Sequence, residues 1–345
     1  MNYFDNINGI KAKDIELRQG VASLREEVIN RTIKPLSITN NGTYTADPTQ
    51  GTYGYSPITV DVQEEPWEPL EDGYSNFWFE LTDDTLSPRL NFSAKNNDAV
   101  IDWGDGSGEV ALDTLTPTHT YAKAGKYVVK VKGVTGIAQQ NNIPYVQSYM
   151  QILRYVELNS DVDTIATNAF LYCTYLERCV MAAVTSIGTS AFMYCVNLKE
   201  ITLSSGITIM QTNLFRYCYN LAKLELPNTL TTINTQSVLF NALLTTLTLP
   251  ATIATIAAVS IDSCTMLSEI HVQATTPPTI GTGNFSSIAT NFIIYVPVGT
   301  LSAYQTAWSD YADHIVEEGS QLTRAQLRNI ELENSKKTPD TEEMR

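Results

Sequence analysis

The sequence predicts a mainly β, multidomain chain. Its C-terminal half is a stacked solenoid, preceded by a β-sandwich, a small β module and an N-terminal helix. Three observations carry this. Leucines recur in phase through residues 153–272, at spacings of 23, 22, 23, 23 and 23. Apolar and polar residues alternate between 74 and 133, broken by glycine-rich turns. One early stretch, Leu17 to Val28, has helical spacing.

The repeat is the firmest of these. Its copies open on Leu153, Leu176, Leu198, Leu221, Leu244 and Leu267. Three residues on come Val156, Cys179, Ile201, Leu224, Leu247 and Ile270, and two further Leu158, Met181, Leu203, Leu226, Leu249 and Val272. An isoleucine-like slot follows (Ile165, Ile187, Met210, Ile233, Ile256), then a bulky one (Phe170, Phe192, Phe215, Val238, Ile261). A period in the low twenties with an L-x-x-L-x-L core marks a leucine-rich repeat. The x-L-x-L piece is a short strand with alternate residues pointing inward. One turn cannot bury its own inner face, so it stacks on the next and the slots become apolar columns. Each buried Leu, Ile or Phe contributes roughly 1.5–3 kcal/mol. Repeated over every copy, that is ample for a core before chain entropy is subtracted.

The segment VTSIGTSAFMYCVNLKEITLSSGITIM, Val184 to Met210, resembles the BspA-type, or Treponema-like, leucine-rich repeat. Ala169-Phe170, Ala191-Phe192 and the cysteine and leucine slots fit its pattern. Pro227 and Pro250 fit as well, ending their strands where proline starts a turn. The fourth copy departs from it: NTQSVLFNALL lacks Ala-Phe and Cys. The resemblance implies a surface or adhesion protein of bacteria or protists, or a phage structural protein.

Composition narrows the classes further. The chain has 345 residues, 43% hydrophobic and 17% charged, which fits several folded domains. A net charge of −15 argues against phosphate-directed binding of nucleic acid. No apolar run reaches the roughly 18 residues of a membrane span. The start, MNYFDNINGIKAKDIELRQG, has no apolar core of a signal peptide. A chain that folds in the cytosol yet carries adhesion-type repeats fits a virion part made in the host and released on lysis.

Along the chain, residues 1–35 hold the helix. Leu17, Val21, Leu24 and Val28 form an a/d seam. Either the helix packs on its own domain, or the seam joins two or three copies, with a trimer preferred. Residues 36–64 read as a small β module with a turn at Asn41-Gly42. Its frame NGTYTA…GYSPITVDV resembles an attachment module of phage minor structural and tail proteins. Residues 65–73 are an acidic linker.

Residues 74–133 read as a β-sandwich. Trp103-Gly104-Asp105-Gly106, His119-Thr120-Tyr121, Gly125 and Tyr127 resemble the polycystic kidney disease (PKD) domain, which implies an Ig-like fold. Residues 134–152 connect to the solenoid and form its N-terminal cap, and 153–296 are the repeats. Residues 297–316 hold a cap helix from about 301 to 312, with Tyr304 and Trp308 on one face. Residues 317–345 are a charged tail.

No catalytic motif appears, and no enzyme, cofactor or metal site is expected. Asp102, Asp105 and Asp113 do not have the spacing of a calcium loop, and Asp-Gly turns account for them. His119 reads as structural. Cys173, Cys195, Cys218 and Cys264 share one slot and read as buried reduced thiols, with disulfides or a metal as the weaker alternatives. Tyr172, Tyr194, Tyr217 and Phe240 fill the slot just ahead. They either seal the solenoid by stacking or form an aromatic strip for a glycan.

The expected function is therefore that of a phage virion structural protein, a fibre, tail or head appendage. It would display its repeats for adhesion to a host surface protein or glycan. Its partners are sister copies and other virion proteins, with no nucleic acid and no membrane. The alternative is a bacterial cell-surface adhesin.

Overall fold

The computed structural model describes residues 73–81, 88–138 and 153–320. All belong to one compact unit that begins at Pro69. The seam Leu17, Val21, Leu24 and Val28, the module at 36–64, most of the linker, the connector from 139 and the tail from 321 lie outside the described residues.

The chain enters through β1 (Ser75–Leu81), β2 (Phe92–Asp102), β3 (Glu109–Ala111) and β4 (Gly125–Ile137). These strands alternate as the sequence requires, yet among the described residues they do not close into a sandwich. They form one antiparallel sheet in the order β1-β4-β2-β3. β1 then offers its free edge to the first solenoid strand, β5 (Leu153–Leu158), with Phe77 opposite Val156. Phe77, Phe79, Leu90 and Phe92 belong to the same buried cluster as Leu153 and Phe170. Beside this sheet, residues 88–92 run antiparallel to 115–119, with Arg89 opposite Thr118 and the Leu90 N–H on the Pro117 carbonyl. An Ig-like sandwich is not established among the described residues, whose strands form a single sheet continuous with the solenoid. Arg154 ties the junction, its Nε and Nη2 reaching Glu80 Oε2 at 2.7 and 2.5 Å.

Each repeat then contributes a short strand. β5 is followed by β7 (Arg178–Met181), β9 (Glu200–Thr202), β11 (Lys223–Glu225), β14 (Thr246–Leu249) and β17 (Glu269–Val272). Pairing is parallel and follows the sequence slots: Val156 opposite Cys179, Cys179 opposite Ile201, Ile201 opposite Leu224, Leu247 opposite Ile270. A second ladder runs behind through β6 (Thr164–Ile165) and β8 (Ser186–Ile187). It runs again through β10 (Ile209–Met210), β12 (Thr232–Ile233), β15 (Thr255–Ile256) and β18 (Thr279–Ile280). β13 (Val238–Leu239) pairs with β16 (Ile261–Asp262). The protein is thus mainly β, with a C-terminal β-solenoid of leucine-rich repeats.

The columns are real packing columns. Leu176, Leu198, Leu221, Leu244 and Leu267 are fully buried. Phe170, Phe192 and Phe215 stack at 5.1 and 5.6 Å between ring centroids. Coils approach so closely at the Ile-Gly step that a Cβ on Gly188 would lie 2.2 Å from the Thr167 nitrogen.

After β17 come β19 (Ile293–Val296) and β20 (Ile315–Glu317), which extend the same sheet. The helix between them, α1, covers Leu301–Ala307 and is shorter than the sequence spacing implied. Trp308 leaves helical geometry at φ −115°, ψ 50°, and a 3-10 turn, Ser309–His314, follows. Tyr304 and Trp308 are both buried and both use their polar ends: Tyr304 Oη donates to the Ala274 carbonyl at 2.6 Å and Trp308 Nε1 to that of Pro278 at 2.9 Å.

All five cysteines are free and buried. In the shared slot three thiols donate to a carbonyl of the previous turn: Cys195 to Phe170, Cys218 to Phe192, Cys264 to Val238, at 3.2, 3.1 and 3.1 Å. Burial pushes the Cys264 thiol up to about 12 and Cys195 and Cys218 well above their ordinary value, so these groups stay protonated. Asn241 stands in this column with neither amide atom bonded, although it is fully buried. A buried polar group without a partner costs about 1–3 kcal/mol. Asn241→Cys is therefore expected to stabilise the protein by about that amount, read as a raised midpoint in urea unfolding. An unchanged or lowered midpoint refutes this account of the column.

Candidate binding surfaces of the solenoid

Tyr172, Tyr194, Tyr217 and Phe240 are brought together as one ladder. Their rings stack face to face at 4.7, 4.4 and 4.8 Å, tilted by only 14°, 17° and 6°. These separations match the 4.7–4.9 Å spacing between neighbouring strands, so the rings inherit the rise of the coil. Tyr172 is 39% exposed and the others are half-buried, so the ring edges and hydroxyls face outward while the flat faces cover one another. Burial first, then the neighbouring phenols Tyr217 and Tyr172, push the Tyr194 hydroxyl up to about 12, and it remains a donor.

The backbone beneath the ladder is left-handed. Tyr172, Tyr194, Tyr217 and Phe240 have φ of 63°, 62°, 65° and 63°. For a side chain of this size that conformation costs about 1–2 kcal/mol. Each residue is held there by its own N–H, which reaches a carbonyl of the following turn: Tyr172 to Met193, Tyr194 to Arg216, Tyr217 to Leu239, Phe240 to Asp262. Ser263 occupies the same position in the next turn with φ 53°. The turn therefore closes without a ring. Sequence reasoning found the ladder but had no signal for its backbone, because left-handed residues are usually Gly, Asn or Asp.

The strand face is charged but balanced. Glu177 pairs with Lys199 and, at 3.7 Å, with Arg154. Arg178 pairs with Glu200 at 3.1 Å and Lys223 with Glu225 at 2.7 Å. Toward the C-terminal end His271 stacks on Tyr295 at 4.6 Å and meets Glu318 at 2.6 Å. Exposed pairs such as these are worth about 0–1 kcal/mol each.

A third place is the Trp103-Gly104-Asp105-Gly106 turn. Gly104 has φ 73°, and a Cβ there would lie 2.3 Å from the Val128 carbonyl oxygen. Trp103 stacks on His119 at 4.9 Å, and Tyr121 donates to the Trp103 carbonyl at 2.6 Å. The carboxylates are occupied within the turn. Asp102 accepts from the Gly104 N–H, and Asp105 accepts from Ser107 and meets His119 Nε2 at 2.8 Å. Among the described residues no three His, Cys, Asp or Glu side chains converge to hold a metal ion, and no helix is long and apolar enough to cross a membrane.

A stack of short parallel strands carrying leucine columns defines the class: a leucine-rich-repeat solenoid. Residues 139–222 and 185–305 match the model of the BspA type leucine-rich repeat region, in six copies. That part of the chain is similar to BspA type leucine-rich repeats. The match does not reach residues 36–64 or 74–133, where the attachment-module and PKD resemblances lay. No curated protein matches the sequence.

Solved structures do. One is a leucine rich cell surface protein from Faecalibacterium prausnitzii, 18% identical, with a TM-score of 0.29, covering 58% of this chain and 86% of that one. Another is a leucine-rich repeat protein from Bacteroides ovatus, 15% identical, TM-score 0.25, covering 66% and 76%. A third is the pneumococcal vaccine antigen PcpA, 14% identical, TM-score 0.23, covering 49% and 68%.

The turn at Asp105 has a pH signature. Hydrogen bonds from the Ser107 hydroxyl and N–H, then His119, hold the Asp105 carboxyl down at about 2. A depressed carboxylate stabilises the fold fully above its unfolded value, and this is lost as pH falls through the folded one. Melting temperature should therefore drop between about pH 4 and about pH 2 more steeply in the natural protein than in Asp105→Asn. Parallel curves for the two proteins sink the assignment.

Proposed function

We propose that this is a non-catalytic adhesion protein of the bacterial cell surface, and that its solenoid makes the contact. The BspA-type repeats support this class of protein. The observation that carries the binding role is the tyrosine ladder. Its rings sit on a left-handed backbone that Ser263 shows can do without them, and their edges and hydroxyls are presented outward.

The partner surface follows from the stacking. Sugar recognition by aromatics uses ring faces, and here Tyr194 and Tyr217 have both faces covered by neighbouring rings. Edges and phenol hydroxyls suit a host surface protein better, since tyrosine gives large contact area at low entropic cost. Glycan on the same strip is the weaker form of this reading. Sister copies joined through Leu17, Val21, Leu24 and Val28 would multiply the attachment.

A second location, a phage particle, is favoured by one observation only, the NGTYTA…GYSPITVDV frame at 36–64. Fractionation of the source cells separates the two: this chain in the surface fraction supports the first, and in purified particles the second.

The ladder itself is tested with Tyr194→Asn, since asparagine tolerates the left-handed backbone. Attachment of the purified protein to host cells should fall about tenfold, as for a central aromatic anchor, with melting close to that of the natural protein. A large drop in melting temperature with unchanged attachment makes the ladder a seal and removes it as a binding strip.

A further inference from the structure

The strand face is interrupted at one place. β11 pairs with β9 and β14 pairs with β17, but no strand pairing joins β11 to β14. A groove of about 490 Å³ opens there, lined among others by Thr202, Ser205, Glu225, Pro227, Thr229 and Thr248. It is an open depression of the surface rather than an enclosed pocket, and its lining mixes polar and apolar groups.

The polar groups in it are arranged and partly committed. Glu225 is fixed by Lys223 Nζ on Oε1 at 2.7 Å and by the Thr202 hydroxyl on Oε2 at 2.7 Å. Thr202 spends its proton on that carboxylate. Thr229 spends its own on the carbonyls of Ser205 and Ile207, both at 2.8 Å. Both hydroxyls are left with lone pairs to offer. The facing strand edges of β11 and β14 add backbone groups that no neighbouring strand uses. Leu224, Leu226 and Pro227 supply apolar surface beside them.

An anchored carboxylate, hydroxyl acceptors, free backbone edges and an apolar wall fit a ligand with many hydroxyls and a C–H face. The cations of this strand face are paired, Lys223 with Glu225, Arg178 with Glu200 and Lys199 with Glu177, and the groove's own lining holds a carboxylate and no cation. We propose that this groove is a binding site for an uncharged oligosaccharide, oriented by hydrogen bonds from its hydroxyls to Glu225. It deepens the reading of the solenoid as a binding surface, but it uses no residue of the tyrosine ladder.

The test uses the purified full-length protein, titrated by calorimetry and saturation-transfer NMR with maltotriose, cellotriose, triacetylchitotriose and the anionic sialyllactose. At least one neutral trisaccharide should bind with a Kd of about 1 mM or tighter. Glu225→Gln, a change at a half-exposed side chain that leaves the core intact, should weaken binding about tenfold, as loss of a charged hydrogen-bond acceptor does. Thr248→Val should weaken it severalfold, and Tyr194→Asn should leave it unchanged. The proposal is overturned if no neutral trisaccharide binds at about 10 mM, if sialyllactose binds as well as the neutral sugars, or if Glu225→Gln binds as the natural protein does. Loss of cell attachment in Tyr194→Asn with sugar binding retained would leave this site standing and the ladder as a separate surface.

Discussion

Everything in the described structure depends on the stacking of coils that cannot bury themselves. A single turn here offers a two- to six-residue strand and a handful of apolar side chains, with no second layer of its own. Only the next turn, one strand spacing away, covers them. The solenoid's stability is therefore carried by interfaces between turns. Its side chains fall into columns because every coil repeats the same geometry at the same rise.

The columns explain several features that look unrelated in sequence. The thiols of one slot bond carbonyls of the turn before, and the ladder residues bond carbonyls of the turn after. The same rise that sets the strand ladder puts phenol rings at 4.4 to 4.8 Å from one another. Stacking contributes about 0.5–1.5 kcal/mol per pair beyond the area buried. The left-handed backbone costs about 1–2 kcal/mol per residue. With three stacked pairs against four left-handed residues, stacking offsets only part of that cost. Ser263 shows that the turn closes without a ring.

The N-terminal strands solve the problem that stacking creates. A solenoid's first strand has a bare edge and a bare apolar face, which invite aggregation. β1 pairs antiparallel with β5, while the end of β4 pairs with β6 on the second ladder, Ile137 opposite Ile165. One antiparallel sheet thereby joins both ladders at once, and the buried cluster runs from Phe77 to Ile315. A binding surface built on such a body keeps its spacing, because β1 and β4 are hydrogen-bonded directly to the first turn.

The sequence by itself determined the repeat: its period, its inward slots, the burial of its cysteines and the lining up of Tyr172, Tyr194, Tyr217 and Phe240. These are local and periodic, and a residue's slot fixes which way its side chain points. It also marked the strands of residues 74–133 and the strand and helix after Val272. It did not determine what those strands pair with. Alternation says that one face is buried but not which edge pairs with what, and the joining of β1 to β5 and of β4 to β6 was not legible in it. Nor could it show the helix stopping at Ala307, the positive φ under the tyrosines, or the missing pairing between β11 and β14. Each of these is decided by how two segments distant in sequence meet, and only the folded chain brings them together.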